Sequence, residues 1–324
     1  LRTAYTQNKI TSGKDGYDSD FANYYSLFTK DGAAAGYSKS YRQSFLDTLG
    51  NGYLKDWNYY PLTDYLSRVN LNKLDHVMAQ ASLSYIFWNL LKLSSSFQYE
   101  KQKGGGRFSY GRDSYFARNL VNTYSQIKNG SILYIVPDGG ILDLEDTNLE
   151  VVNFRLQGDL NKEWGQNKLS ALAGFELRER KTEGYYLRRY GYSDEYNTYL
   201  NYDPTNRYPN IITGSSSLIP TNDGQSDGNN RFLSTFLNAS FVRNEKYIVS
   251  LSARRDASNL FGLNVNDKWN LLWSIGAAWH ISKENWFPKE LVNSLKLRAT
   301  YGFSGNVDPS RSAVTTMIYG LQNQ

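Results

Sequence analysis

The sequence predicts an all-β fold that forms part of a large antiparallel transmembrane β-barrel, and three observations predict it. Nine segments of the 324-residue chain alternate apolar and polar residues at period two. The connections between them alternate too, a few residues at one end and on the order of 50 at the other, whereas loops beyond about 12 to 15 residues are uncommon in compact domains. No window offers the roughly 18 uninterrupted apolar residues of a membrane helix, and the mean hydropathy is −0.58. Short turns on one side and long loops on the other are what a barrel crossing an outer membrane requires.

The first segment, residues 1–9, is short. In the second, residues 74–87, Ala79, Ala81, Leu83, Tyr85 and Phe87 oppose Gln80, Ser82 and Ser84. After a turn at 88–90, Leu91, Leu93, Phe97 and Tyr99 oppose Lys92, Ser94, Ser96, Gln98 and Glu100. The fourth sets Val152, Phe154, Leu156 and Leu160 against Asn153, Arg155, Gln157 and Asp159, and turns at "WGQN", 164–167. The fifth carries Leu169, Ala171, Ala173, Phe175 and Leu177 on its apolar side. The sixth carries Leu233, Leu237, Ala239 and Phe241, with Phe232 and Phe236 on the polar parity, and turns at "RNEK", 243–246. Tyr247, Val249, Leu251 and Ala253 mark the seventh, and Leu295, Leu297, Ala299, Tyr301 and Phe303 the ninth. Long connections are expected at 10–73, 102–148 and 181–229; those at 258–268 and 282–294 are shorter.

The eighth segment, "WNLLWSIGAAWHIS" at 269–282, places Trp269, Trp273, Ile275 and Trp279 on one side and Ser274 and Gly276 on the other. Period two leaves open whether that side meets a protein core or lipid. Trp269 and Trp279 are separated by ten residues, roughly 23 Å along the membrane normal at about 3.3 Å per residue and about 45° of tilt. The apolar band of such barrels is about 25 Å tall between two aromatic girdles. Trp88, Trp164 and Tyr247, with Trp286, sit at or beside the short connections, so the membrane-interface girdle is expected at Trp88, Trp164, Tyr247, Trp269 and Trp279.

Composition narrows the function. The chain holds 27 Tyr, 15 Phe, 7 Trp and no Cys, which removes disulfides, thiolate metal sites and cysteine nucleophiles. With 36 Lys+Arg against 31 Asp+Glu and no dense basic run, nucleic acid is not an expected partner. His76 and His280 lie far apart, each at a strand end, without a nucleophile or metal-ligand spacing beside them. No enzyme activity, cofactor or metal is expected. "GGGR" at 104–107 lacks the Lys-Ser/Thr of a P-loop and reads as a mobile loop tip. "DLED" at 143–146 offers carboxylates for calcium but reads as a solvated loop.

The long loops are dense in Tyr interleaved with charge, in "DWNYYPLTDY" at 56–65 and "GYYLRRYGYSDEYNTYLNYD" at 184–203. Aromatic faces beside hydrogen-bonding groups suit sugars or peptides. Packing of loops on one another or on a partner protein explains the same residues. Trp57, Tyr59, Tyr60, Tyr185, Tyr186 and Tyr190 are the candidates for substrate or partner contacts. The chain begins as if inside a strand and stops without a closing element, so it is expected to be a piece of a longer protein.

Residues 247–308 carry a resemblance. "SLSARRDASNLFGLNVNDKWNLLWSIGAAWHISKENWF" and "LKLRATYGFSGN" resemble the late barrel strands of SusC/RagA-type TonB-dependent transporters. The matching positions include Arg255, Asp256, Ser258, Phe261, Gly262, Trp269, Trp279, Ile281, Ser282, Leu295, Lys296, Leu297, Arg298, Tyr301 and Gly302. Ala257 replaces the usual Gly, "LLW" stands where Phe-Pro-Ser is common, and His280 replaces the basic residue. "SALAGFELRERK" at 170–181 is a looser match.

The resemblance implies a barrel of 22 strands in the bacterial outer membrane, of which these residues are about nine. It implies a plug domain and a TonB-contacting motif elsewhere in the protein, a SusD-like surface lipoprotein lid, and import of a glycan or peptide substrate through a wall that touches outer-membrane lipid. Residues 1–324 are then one partial barrel domain. A passive porin-type channel and a soluble all-β carbohydrate-binding module are the alternatives.

Overall fold

The computed structural model describes residues 1–12, 26–258, 269–288, 290 and 292–305. Nine strands form one antiparallel meander: β1 (Arg2–Ser12), β2 (Arg68–Phe87), β3 (Leu91–Tyr110), β4 (Gly140–Trp164), β5 (Asn167–Ser193), β6 (Gly224–Arg243), β7 (Tyr247–Ser258), β8 (Trp269–His280) and β9 (Lys296–Phe303). Every strand pairs with its sequence neighbours, and the short strand Thr198–Leu200 adds to β5. Tight turns join β2 to β3, β4 to β5 and β6 to β7, where the sequence puts them. Trp88 and Asn89 take φ of 50° and 53°, and Asn244 and Glu245 take 53° and 56°. Asn tolerates this left-handed region better than most residues, which suits it to these three-residue hairpin loops, 88–90 and 244–246.

Register joins the separate alternations into two continuous faces. Phe87, Leu91, Leu160, Ala171, Ala239, Leu251, Ile275 and Tyr301 are successive cross-strand partners from β2 to β9. On the opposite face Ser82, Ser96, Arg155, Glu176, Ser234 and Asp256 form a second row. A slip of one residue at any strand would turn its apolar set onto the polar face, so the register is strongly specified. The two exceptions on the polar parity have a local reason at Phe236. Its ring lies over Gly174, where a Cβ would come within 2.7 Å of it, and the Arg155 guanidinium lies 4.8 Å from its centroid. A large ring covering a strand glycine restores packing that the glycine lacks.

The apolar face answers the question that periodicity leaves open. Leu83 is 76% exposed, Tyr301 66% and Ile275 48%, so no second layer of described residues covers it. An uncovered apolar face of this extent is rare on a soluble monomer and is the mark of a surface that meets lipid or a partner.

Three expectations need correction. The long connections are shorter than the alternation indicated, because β3 runs to Tyr110, β4 starts at Gly140, β5 runs to Ser193 and β6 starts at Gly224. "GGGR" is a paired stretch of β3 and not a loop tip, with Gly104 opposite Leu74 and Thr147. "DLED" belongs to β4, and its Asp143 is buried. One cause explains all three. Beyond the apolar band no face meets a continuous apolar medium, so the ladder of backbone hydrogen bonds continues while the apolar alternation stops. A strand of 27 residues such as β5 rises roughly 60 Å at about 3.3 Å per residue and about 45° of tilt, more than twice an apolar band. The connection at 259–268 lies outside the described residues.

Candidate functional site

The strand extensions carry a compact assembly of the long connections, and its core lies there and not in the sheet. Ala117, Leu120, Val121 and Tyr124 lie at helical spacing on the helix Tyr115–Tyr124 and pack with Val136, Ile141, Tyr190 and Ile219. Ser114 caps this helix, its Oγ accepting from the Ala117 N–H at 3.2 Å. The Asp64 carboxylate accepts the Tyr115 N–H and, at 2.7 Å, an Arg68 guanidinium N–H. The start of the helix is thereby tied to the foot of β2.

The polar side of the helix holds residues 55–58. Asn122 makes a two-way amide pair with Lys55, accepting its N–H at 2.9 Å and donating to its carbonyl at 2.9 Å. Trp57 Nε1 donates to Asn119 Oδ1 at 2.8 Å. Arg118 donates to the Asn58 carbonyl at 2.9 Å, to that of Asp113 at 3.0 Å, and to that of Asp56. Satisfied buried donors of this kind are what allow an irregular segment to be buried at all.

The third connection, 194–223, closes over the other side. Tyr124 donates to the Leu218 carbonyl at 2.9 Å, and the Ile211 N–H donates to the Thr123 carbonyl at 2.9 Å. Tyr190 is fully buried, meets Tyr202 edge-on with 4.9 Å between ring centroids, and donates to the Pro220 carbonyl. Burial pushes the Tyr190 hydroxyl up to about 12, so it remains a neutral donor. Between β4 and β5, Arg188 grips Asp143 through two bonds of 2.6 Å.

The six candidate contact residues therefore separate. Trp57, Tyr59 and Tyr190 are buried and build the assembly from within, so their burial supports the packing reading of the loop aromatics. Tyr60 is half-buried and donates to Asp56 at 2.6 Å. Tyr185 is exposed on the face of the apolar parity, and Tyr186 lies on the polar face of the same strand. Tyr196, Tyr199 and Leu200 are the exposed large side chains at the tip of β5 and the short strand beside it, at 71%, 53% and 54%. They sit within the Tyr-rich run 184–203, but its composition does not separate exposed rings from buried ones. The Asp143–Arg188 pair was also missed, since its two halves come from segments read as loops.

At the opposite end Trp279 stacks on Tyr247 with 6.3 Å between centroids and an interplanar angle of 17°, and meets Trp286 edge-on. Glu284 accepts from Lys246 at 2.7 Å, Tyr247 at 2.8 Å and Trp279 at 3.0 Å. Hydrogen bonds from those three, Lys246 foremost, hold its carboxyl at about 2. Trp88 and Trp164 lie at the neighbouring turns, 89% and 42% exposed. Trp269 begins β8 opposite Ala257, at the other end of the strand.

Among the described residues no group of three or more His, Cys, Asp or Glu could hold a metal ion. His76 faces Glu100 at 3.1 Å on the polar parity of β2 and β3. The chemistry available to the assembly is recognition, through rings, amides and paired charges.

A meander with one uncovered apolar face, one polar face, trim turns at one end and packed loops at the other is an arc of a transmembrane β-barrel wall. No family model matches the chain. It is 28% identical over 219 residues to the TonB-dependent receptor P26 of Formosa agariphila, a match covering 64% of this chain and 20% of that protein. It is 46% identical over 63 residues, 19% of the chain, to the TonB-dependent receptor P39 of the same organism. The RagAB peptide importer in its closed-closed state shares the fold at a TM-score of 0.54 and 15% identity, over 76% of this chain and 24% of that one. The chain is thus similar in sequence to TonB-dependent receptors and similar in fold to the RagAB importer. It spans about a fifth of the length of the P26 relative. The relatives are named receptors, and RagAB is named a peptide importer.

Proposed function

We propose that this chain is one arc of an outer-membrane barrel that actively imports bulky nutrients, oligosaccharides or peptides, with energy from the TonB complex. The observation that carries the reading is the cross-strand row from Phe87 to Tyr301, an apolar belt with no covering layer, beneath strands that extend far beyond it. Lipid covers that belt. Trp88, Trp164, Tyr247 and Trp279 mark one water boundary and Trp269 the other. The polar face lines the lumen, and residues 1–324 form one partial barrel domain around a plug supplied by the rest of the protein.

The packed connections form the extracellular surface on which substrate and a SusD-like lipoprotein lid meet the wall. Trp57, Tyr59 and Tyr190 support that surface from inside, and Tyr60, Tyr185 and Tyr186 remain the contact candidates. The names of the relatives and the resemblance of residues 247–308 support active import. The runner-up is a passive porin-type channel.

Uptake of a labelled oligosaccharide and a labelled peptide into cells carrying the full-length protein separates them. Active import predicts uptake that stops when a protonophore collapses the inner-membrane potential. Uptake that continues unchanged would establish the passive channel instead.

A further inference from the structure

After the short helix Gln43–Thr48 the chain reverses through Gly50, Asn51 and Gly52, which take φ of 74°, 50° and 82°. Glycine enters this left-handed region freely and Asn tolerates it, so the helix is folded against residues 54–58. The two segments enclose a cavity of about 150 Å³. Leu46, Leu49, Leu54 and Trp57 give it an apolar floor, and Gln43, Asp47 and Asp56 a polar rim. Trp57 is buried and Asp47 exposed, so the cavity faces water on its carboxylate side. None of these residues belongs to the apolar core around the helix Tyr115–Tyr124.

Its hydrogen-bonding groups are unbalanced. The side-chain donors of Gln43, Trp57 and Lys55 are engaged within the protein. Gln43 Nε2 donates to Asp47 Oδ1 at 2.8 Å, Trp57 Nε1 donates to Asn119 at 2.8 Å, and the Lys55 ammonium lies 2.6 Å from Asp138. Acceptors are left over. Asn58, also in the wall, has its Oδ1 buried without a hydrogen bond among the described residues. Asp56 has Arg118 at 3.7 Å and accepts from Tyr60 and from the Asn58 N–H, whereas Asp47 has no ion-pair partner among the described residues. A wall whose donors are spent and whose acceptors are open selects a ligand that donates and need not accept. A sugar hydroxyl does both, while an ammonium carries three donors and no acceptor.

We propose that this cavity takes the side chain of a lysine in a peptide substrate, with the ammonium on Asp47 and the methylenes along Leu46, Leu49 and Leu54. The inference rests on the import reading proposed above and deepens it, selecting peptides over oligosaccharides. Size agrees with it, since about 150 Å³ is the room of roughly five water molecules at about 30 Å³ each. That suits four methylenes and an ammonium and leaves no space for a whole sugar ring with its hydroxyls. A lysine lays its stem on apolar surface while its charged head stays toward water, which is the order of floor and rim here. The charge-assisted bond to Asp47 supplies selectivity, and burial of the methylenes supplies retention.

The test uses the full-length protein, purified in detergent, and equilibrium dialysis of end-blocked pentapeptides that differ only at the central residue, which is lysine, Nε-acetyl-lysine or norleucine. The unaltered protein is expected to hold the lysine peptide about tenfold more tightly than the other two, and Asp47→Asn to lose that factor, about 1.4 kcal/mol. Leu46→Trp, which fills the floor and leaves the carboxylate, is expected to release the lysine peptide as well. Equal retention of the three peptides by the unaltered protein overturns the proposal and needs no variant to fold. So does retention of the lysine peptide unchanged in both variants, or its displacement at equal concentration by trialanine with a free amino terminus or by glucosamine. Uptake with and without the protonophore is read in parallel. Uptake that ignores the protonophore overturns active import, whereas energised uptake beside equal retention of the three peptides overturns the lysine site alone.

Discussion

Asp143 and Arg188 face one another across β4 and β5, joined by two hydrogen bonds of 2.6 Å with side chains only 11% and 14% exposed. The Arg188 guanidinium also lies 5.3 Å from the Phe116 centroid, so the pair links the strand extensions to the helix above them. Removing one partner of a buried pair strands the other charge, at a cost of about 3 to 5 kcal/mol. Asp143→Asn is expected to loosen the loop assembly without dissolving the barrel. Hydrogen exchange should show faster labelling of residues 115–124 and 188–192 and unchanged protection of β7 and β8. Equal protection in both regions would mean that the pair does not hold the assembly.

The two-way amide bond between Asn122 and Lys55 predicts a separable docking step. Asn122→Ala leaves the Lys55 N–H and carbonyl without their partners, a loss of about 1 to 3 kcal/mol per buried group. Limited proteolysis is expected to cut the variant near residues 50–60 at protease levels that spare the unaltered protein. A variant that resists cleavage equally would place the anchorage of this segment elsewhere.

Glu284 predicts a pH dependence at the trim end. Its carboxyl is held at about 2, below the ordinary 4.5, by donors from Lys246, Trp279 and Tyr247. A lowered folded pKa contributes stability that is full above the unfolded value and is lost as pH falls from about 4.5 toward 2. The fluorescence of Trp279 and Trp286 should therefore shift in that window as the turn opens. Glu284→Gln is expected to show the low-pH signal at neutral pH and to remove the transition.

Gly174 predicts a packing conflict on the polar face. A side chain there meets the Phe236 ring that sits over it. Gly174→Val should displace that ring from Arg155 and cost about 1 to 3 kcal/mol, as overpacking does. The midpoint of heat-induced loss of the compact barrel on gels reads this, and an unchanged midpoint would show the strand to have room.

The membrane-crossing part of this fold was legible and the part above it was not. From Val77 to Phe87 or from Leu169 to Leu177 one side of each strand meets an apolar medium, which writes period two into the residues. From Lys101 to Gly106 no continuous apolar medium lines one side, so the strand continues on backbone hydrogen bonds that leave no trace in side-chain type. The site was legible only as a density of tyrosines. Whether a ring is buried, as Tyr190 is, or exposed, as Tyr199 is, depends on partners such as Pro220 and Tyr202 that the register brings together. Asp143 and Arg188 lie 45 residues apart, and no local pattern pairs them.

The central claim is that one face of this sheet meets lipid and the other the lumen, and β8 tests it most directly. The chain has no native cysteine, so single cysteines at residues 274 to 278 of the full-length protein, with any cysteines elsewhere replaced, can each carry a nitroxide label. Collision with oxygen, which partitions into lipid, is compared with collision with a polar nickel chelate. The account predicts oxygen-dominated relaxation at 275 and 277 and chelate-dominated relaxation at 274, 276 and 278. Chelate access at all five positions, without alternation, would contradict it.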